Sequence, residues 1–367
     1  MRPRVWGIRD FPHEEWIVPA VFFTVLTNSE VAELLAKEAE NFKPPLSRAF
    51  RRASRAAILW PEEIPSLLEP GRALSELPAV GPFLEKFIRR WVDAPPKLEK
   101  PPPIRRDFIF RTEAQRLLAA NPAWMASLRG DLQMHTEWSD GAGTIAAMAN
   151  EAVKRKYEFI AITDHAKGLR IAGGINEQEL AAQSAEIEEV NAELKSAKQS
   201  FRVLRSVELN LNVDGEGDIA PKTLAKMDVV LGAFHSALRR TDDQTPRYLA
   251  ALKQPYLNIL GHPRTRIYNY RLGLDADWER VFAMAAERDK AVEIDCYPDR
   301  QDLNVGLLKL ARKAGVRISI GTDAHHPWQL EAMELGLAAA IKARIPRERI
   351  INFMTRSELL QWAKKRR

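Results

Sequence analysis

Apolar positions recur at helical spacing in the first quarter of the chain and give way to short β-branched runs after residue 128. In SEVAELLAKEAE, Val31, Leu34, Leu35 and Ala39 repeat every three to four residues, the mark of an amphipathic helix. Thr27 with Glu30 makes a capping box in front of it. The next segment, PPLSRAFRRASRAAILW, places Leu46, Ala49, Phe50, Ala53, Ala57 and Trp60 on one side of a helix. Arg48, Arg51, Arg52 and Arg55 fall together on the other side, so one face packs and the opposite face carries a strip of guanidinium groups. FLEKFIRRWV predicts a third helix, entered through the tight turn SELPAVG. Gly81 there leaves the amides at the helix start free for an anion, with Arg89 and Arg90 close in sequence.

The stretch 94–105, APPKLEKPPPIR, is too rich in proline for helix or central strand and predicts an extended spacer. A domain boundary belongs there: a helical domain over 1–93, a linker with a connecting helix (about 112–120) over 94–127, and a second domain over 128–367. The second domain alternates seven candidate strands, about 130–134, 158–163, 202–209, 228–234, 257–261, 291–295 and 317–322, with helices clearest at 144–156, 177–198, 277–290 and 302–314. Such alternation predicts a parallel sheet, and seven units invite closure into a barrel.

Composition changes this picture little. The chain has 367 residues, 46% hydrophobic and 28% charged, as expected of a globular protein, which excludes wholesale disorder. The longest apolar run near the start, residues 16–26, is too short for a bilayer and is expected to be buried against the body. No membrane role and no secretory signal are expected. A single cysteine, Cys296, excludes an internal disulfide and a multi-cysteine zinc site and makes the cytoplasm the default compartment. Of the net charge of +6, most of the excess sits in residues 43–106, with 13 basic against 7 acidic side chains, which favours an anionic partner there.

The strongest signal is what ends the strands. LQMHTEWSD presents His135 and Asp140, AITDH presents His165, and SVEL presents Glu208. GAFH gives His235, ILGHP gives His262, and GTDAH gives Asp323 and His325. Five of the seven histidines thus stand at strand C-terminal ends, the rim where barrel enzymes gather their catalytic groups. His13 and His326 stay outside this set. Imidazole and carboxylate ligands without thiolate suit manganese, zinc or iron. Eight ligands exceed what one ion takes, so two or three divalent ions are expected, with Glu208 as the bridge. Clustered ions of this kind activate water for attack at phosphorus, so phosphoester hydrolysis is the reaction expected. Lys167, Arg170, Arg239, Arg264, Arg266 and Arg300 each follow a strand end and are candidate phosphate ligands, Arg264 first among them. Asp131 and Asp164 are expected to orient histidine rings.

Two resemblances sharpen these expectations. LSELPAVGPFLEKFIRRW, with FRRASRAA before it, resembles the helix-hairpin-helix domain of family-X DNA polymerases, which implies DNA backbone contacts without sequence reading. Ala79 stands where that hairpin usually has its first glycine, and Phe87 falls on the lyase lysine of eukaryotic relatives, so no lyase activity is expected. GDLQMHTEWSDG, ITDH, VELNL, GHP and GTDAH, in order, resemble the PHP (polymerase and histidinol phosphatase) family, which implies a distorted seven-stranded (β/α) barrel. That resemblance implies one ion on His135, Glu208 and Asp323 with Gln133 nearby, a second on Glu208, His235 and His262, and a third on Asp140, His165 and His325. Gln133 replaces the first histidine of the usual motif, and an amide oxygen is the weaker ligand. Too few residues lie between Trp91 and the first strand to house a nucleotidyl-transfer domain, so no polymerase activity is expected. The expected function is a metal-dependent phosphoesterase delivered to DNA 3′ ends in repair, as exonuclease or 3′-phosphatase, with His235, His262 and Arg264 as catalytic candidates. The alternatives are a small-molecule phosphomonoesterase of histidinol-phosphatase type and a DNA-binding scaffold whose barrel has decayed.

Overall fold

The computed structural model describes residues 26–365. His13 and all of the 16–26 run except its last residue, the buried Leu26, lie outside the described residues.

The first helices follow their sequence signals. α1 (Asn28–Glu38) starts at Thr27, whose hydroxyl accepts from the Glu30 amide while Glu30 accepts from the Thr27 amide at 2.7 Å. α2 (Leu46–Ala56) buries Phe50 and Ala53 and leaves Arg48, Arg51, Arg52 and Arg55 exposed. Leu46, expected on the packed side, is exposed, because it sits at the first position of the helix where no neighbour covers it. α3 (Pro82–Asp93) follows the turn, which the Trp60 indole pins by donating to the Pro78 carbonyl at 3.0 Å. These helices share one apolar cluster, from Leu26 to Trp91, that also takes in Phe108, Phe110 and Tyr268 from farther along the chain.

The proline-rich segment is not a free spacer. Arg105 forms two hydrogen bonds to the Glu33 carboxylate and a third to Asn269. Ser54 on α2 meets the Tyr268 hydroxyl at 3.0 Å in a buried contact. The extended backbone predicted from proline is present, but charged and aromatic side chains on both sides clamp it. α4 (Arg111–Ala119) and α5 (Pro122–Ser127) then lead into the strands.

The second part is α/β, with parallel strands β1 (Gly130–Asp131), β2 (Phe159–Ile162), β3 (Arg202–Arg205), β4 (Glu208–Leu211), β5 (Leu231–Phe234), β6 (Ile259–Leu260), β7 (Ala291–Asp295) and β8 (Arg317–Gly321). They form a three-stranded sheet, β1-β2-β3, and a five-stranded sheet, β4 to β8 in order. Parallel bridges His165–Glu208 and Met134–Ala324 link the two sheets. The strand expected over 202–209 is two strands: its first half pairs with β2, its second with β5, and the chain changes partner at Ser206–Val207. Between and after the strands run α6 (Ile145–Lys154), α7 (Glu177–Ser196), α8 (Pro221–Leu224), α9 (Thr245–Lys253), α10 (Trp278–Glu287), α11 (Val305–Ala314), α12 (Met333–Ala343) and α13 (Arg356–Lys364).

Strand alternation divides the core in two. Ile160 and Ile162 face the main cluster made with the surrounding helices. Phe159 and Ala161 face a smaller cluster with Leu204, Leu231, Ile259 and, from α13, Leu359 and Trp362. The α13 contacts run to residues that precede strands: Asn258 donates to the Ala363 carbonyl and Trp362 to that of Asp289. α13 therefore closes the N-terminal ends of the strands and leaves the C-terminal ends free for chemistry. Among the described residues, no helix is long and apolar enough to cross a membrane.

Candidate metal centre

Apart from Asp140, the polar groups of the cluster stand one to four residues past the ends of β1, β2, β5, β6 and β8, and at the start of β4. Glu208 opens β4 and is fully buried. Its Oε1 lies 3.0 Å from His235 Nε2 and 2.8 Å from His262 Nε2, and its Oε2 lies 3.2 Å from His135 Nε2 and 3.4 Å from His165 Nδ1. Four imidazoles thus converge on one carboxylate. His135 also meets Asp323 Oδ1 at 3.0 Å, while Asp140 Oδ1 lies 3.5 Å from His165 and 3.4 Å from His325. Three groups have donor atoms within 4.8 Å of one another: His135, Asp140, His165 and His325; His165, Glu208 and His235; and His135, Glu208 and Asp323.

The first and third of these contain the implied Asp140/His165/His325 and His135/Glu208/Asp323 sets. The implied second set, Glu208, His235 and His262, meets at Glu208 Oε1.

The donors suit divalent cations. His135 Nδ1 and His165 Nδ1 are buried with no hydrogen-bond partner, a cost that a bound ion removes. Burial first, and the neighbouring His135 charge second, hold His165 down to about 3, so its ring is neutral and its lone pairs are available at pH 7. Burial also lowers His235 and His325. Burial disfavours charge on Glu208, but the surrounding imidazoles outweigh it and hold the carboxylate ionised. Asp323 adopts φ of +52°, a conformation L-residues rarely take.

Gln133 lies between two carboxylates. One amide orientation has its nitrogen donating to both Glu293 oxygens at 2.7 Å. Its oxygen then faces Glu208 Oε2 at 3.4 Å. Gly321 makes this possible: a Cβ there would stand 2.4 Å from Glu293 Oε1 and 2.7 Å from Gln133 Cβ.

The groups around the cluster divide unevenly. A pocket of about 230 Å³ is lined by Asp140, His165, His235, His262 and His325 together with Arg271 and Arg300. Arg300 contacts Asp323 and covers the Tyr297 ring. Arg264 does not line this pocket; its Nε donates to the Leu274 carbonyl. Arg266 is buried and donates to the backbone carbonyls of Arg106, Asp107, Arg300 and Gln301, so it fastens the linker to the barrel. Neither is placed to meet a phosphate in the pocket. Lys167 is paired with Glu177, Arg239 donates to the Tyr270 hydroxyl, and Arg170 is exposed.

Among the described residues, neither the Asp131 nor the Asp164 carboxylate hydrogen-bonds a histidine. Asp131 accepts from Thr322 and from the Gln133 amide, tying the first strand to the last. Asp164 accepts from Thr136, Ser139 and Gln183 and so fixes the loop that carries Asp140. The rings are oriented instead by Asn210, 3.1 Å from His235 Nδ1, and by the Asp323 carbonyl, 2.7 Å from His325 Nδ1. Asn210 stands two residues after Glu208 on the same strand, so the two-residue period could have found it. Arg271 lies in an irregular loop with no comparable signal.

In the helical part, Arg48, Arg51 and Arg52 have no carboxylate partner among the described residues, whereas Arg55 pairs with Asp299 at 3.3 Å. Arg89 pairs with Glu85 and Arg90 covers the Phe87 ring. Gly81 precedes α3 with φ of −98° and open space where a Cβ would be, so no contact among the described residues requires glycine there. The strained position is Ala79, at φ of +65°.

Residues 131–295 match the PHP domain family. The DNA polymerase/3′-5′ exonuclease PolX of Bacillus subtilis is 34% identical over 229 residues, covering 62% of this chain and 40% of that protein. The chain therefore spans less than half the length of that relative. A probable phosphatase of Thermoanaerobacter is 28% identical over 235 residues, covering 60% of this chain and 89% of the relative. Among solved structures, histidinol phosphate phosphatase of Lactococcus lactis aligns with a TM-score of 0.43 and 17% identity, over 59% of this chain and 94% of that chain.

Proposed function

For a chain that carries a PHP domain over residues 131–295, we propose metal-dependent phosphoester hydrolysis directed at DNA 3′ ends, as exonuclease or 3′-phosphatase. The observation that carries the proposal is the convergence of five imidazoles and three carboxylates with Arg271 and Arg300 around one pocket. The architecture proposed is a distorted seven-stranded barrel over 128–367, the β3–β4 stretch counting as one broken strand. A helix-hairpin-helix domain over 1–93 and a linker over 94–127 precede it. The proposed compartment is the cytoplasm.

The metal ligands proposed are His135, Asp140, His165, Glu208, His235, His262, Asp323 and His325, with the Gln133 oxygen. Divalent ions held there, manganese, zinc or iron, supply Lewis acidity and an activated water for attack at phosphorus. The chain's own contribution is positional. Glu208 gathers four rings, Asn210 fixes His235, and Asp164 holds the Asp140 loop. Arg300 and Arg271 present guanidinium groups to the phosphate oxygens, a geometry that suits two-point contact.

DNA is favoured over a metabolite by the exposed arginine strip of α2, which a small substrate does not need. The second reading, a small-molecule phosphomonoesterase, draws on the modest pocket volume and on the phosphatase relative. Manganese-dependent hydrolysis of a labelled oligonucleotide beside small phosphomonoesters separates them. The expected result is shortening or 3′-dephosphorylation of the oligonucleotide, abolished in His235→Ala. Turnover of monoesters alone would replace this reading with the second.

A further inference from the structure

The helical part is docked so that the arginine face of α2 meets the barrel rim beside the metal pocket. Between them lies a cavity of about 330 Å³, walled on one side by Arg52 and Arg55 and on the other by Tyr297, Trp328 and Gln329. It adjoins the metal cluster. The Gln329 side chain accepts from the His325 amide at 2.7 Å, and the Tyr297 ring stands edge-on to the His325 ring with centroids 6.2 Å apart. Arg300, which lines the metal pocket, covers the other side of that wall by lying over Tyr297.

Among the described residues, most charges in the groove are paired. Arg55 answers Asp299, and Arg111 answers Glu331 at 2.6 Å. Among the described residues, Arg52 has no carboxylate partner. Trp328 is 51% exposed, with the His326 ring tilted against it at a centroid distance of 6.0 Å. A cation beside a half-exposed aromatic ring suits an unpaired nucleotide, one for its phosphate and one for its base. A volume of about 330 Å³ is on the scale of a single small ligand such as one nucleotide. The groove is preformed, since Ser54–Tyr268 and Arg55–Asp299 hold α2 against the barrel.

We infer that this groove between α2 and the rim binds a single nucleic-acid strand as it leaves the metal pocket, with a phosphate at Arg52 and a base stacked on Trp328. The inference rests on the DNA-directed reading above and adds a site formed jointly by the two parts of the chain.

The test compares a ten-nucleotide single strand with a dinucleotide as substrates for the full chain. In the wild type KM falls about tenfold from the short to the long substrate, the scale of one base–aromatic contact. Trp328→Ala and Arg52→Glu each bring that ratio close to one. Both positions are exposed, and circular dichroism verifies that the variants fold. Retention of the wild-type ratio in both variants overturns the groove, as does a wild type with equal KM for the two lengths. A wild type that hydrolyses neither strand but turns over small monoesters removes the DNA-directed reading, and the groove with it.

Discussion

Arg105 on the linker and Glu33 on α1 form a two-point ion pair, 2.7 and 2.8 Å, with side chains only 7% and 5% exposed. A pair this deep is costly to break by halves, because the remaining charge stays buried without its partner. Glu33→Gln is expected to destabilise the protein by about 3 kcal/mol. Glu33→Leu combined with Arg105→Met should recover most of that loss. Denaturant unfolding of the single and double variants checks this; equal stability of Glu33→Gln and wild type would show that the clamp is not what holds the two parts together.

Ala79 carries a left-handed conformation that glycine adopts freely. Ala79→Gly is expected to raise stability by about 0.5–1 kcal/mol, and Ala79→Val to lower it by about 1–2 kcal/mol. Thermal unfolding of both variants decides. A loss of stability in the glycine variant would mean that the turn does not hold the backbone found here.

Gly321 admits Glu293 and Gln133 to the same small space. Gly321→Ala should displace one of them and weaken metal binding about tenfold or more, the usual cost of disturbing groups that orient ligands. Titration calorimetry with manganese provides the reading, and unchanged affinity would remove Gln133 from the ligand set.

Burial raises Asp131 to about 6, partly offset by its bonds from Thr322 and the Gln133 amide. A carboxyl raised in the folded state above its unfolded value of 3.8 favours folding below pH 3.8 and loses that contribution as pH rises through 6. The shift corresponds to about 3 kcal/mol. Asp131→Asn cannot titrate, so its stability relative to wild type should increase between pH 4 and pH 7. A difference that stays flat over that window would place the carboxyl near its ordinary value.

The parts of this molecule that were legible in sequence are those set by local chemistry. The capping box at Thr27 and the arginine face of α2 follow from sequence period, and the histidines that follow the strands gather in the fold because parallel strands end on one side. What was missed depends on distant partners. Arg266 looks like a phosphate ligand after GHP, yet carbonyls far away in the chain, at Arg106 and Asp107, claim it. Asp131 and Asp164 stand beside ligands in sequence but point to threonine and serine hydroxyls. The break at Ser206 arises because β2 ends before the stretch does, a fact of pairing that one strand's own composition cannot reveal. The clamp on the proline-rich segment needs Glu33 and Asn269 together, which only the folded chain supplies.

The central claim is that the cluster around Glu208 holds divalent ions, and elemental analysis of the purified protein tests it most directly. After dialysis against manganese or zinc and removal of free ion, the wild type should retain at least two ions per chain, and Glu208→Ala markedly fewer. A folded wild type that retains none would contradict the account and leave the barrel as a scaffold.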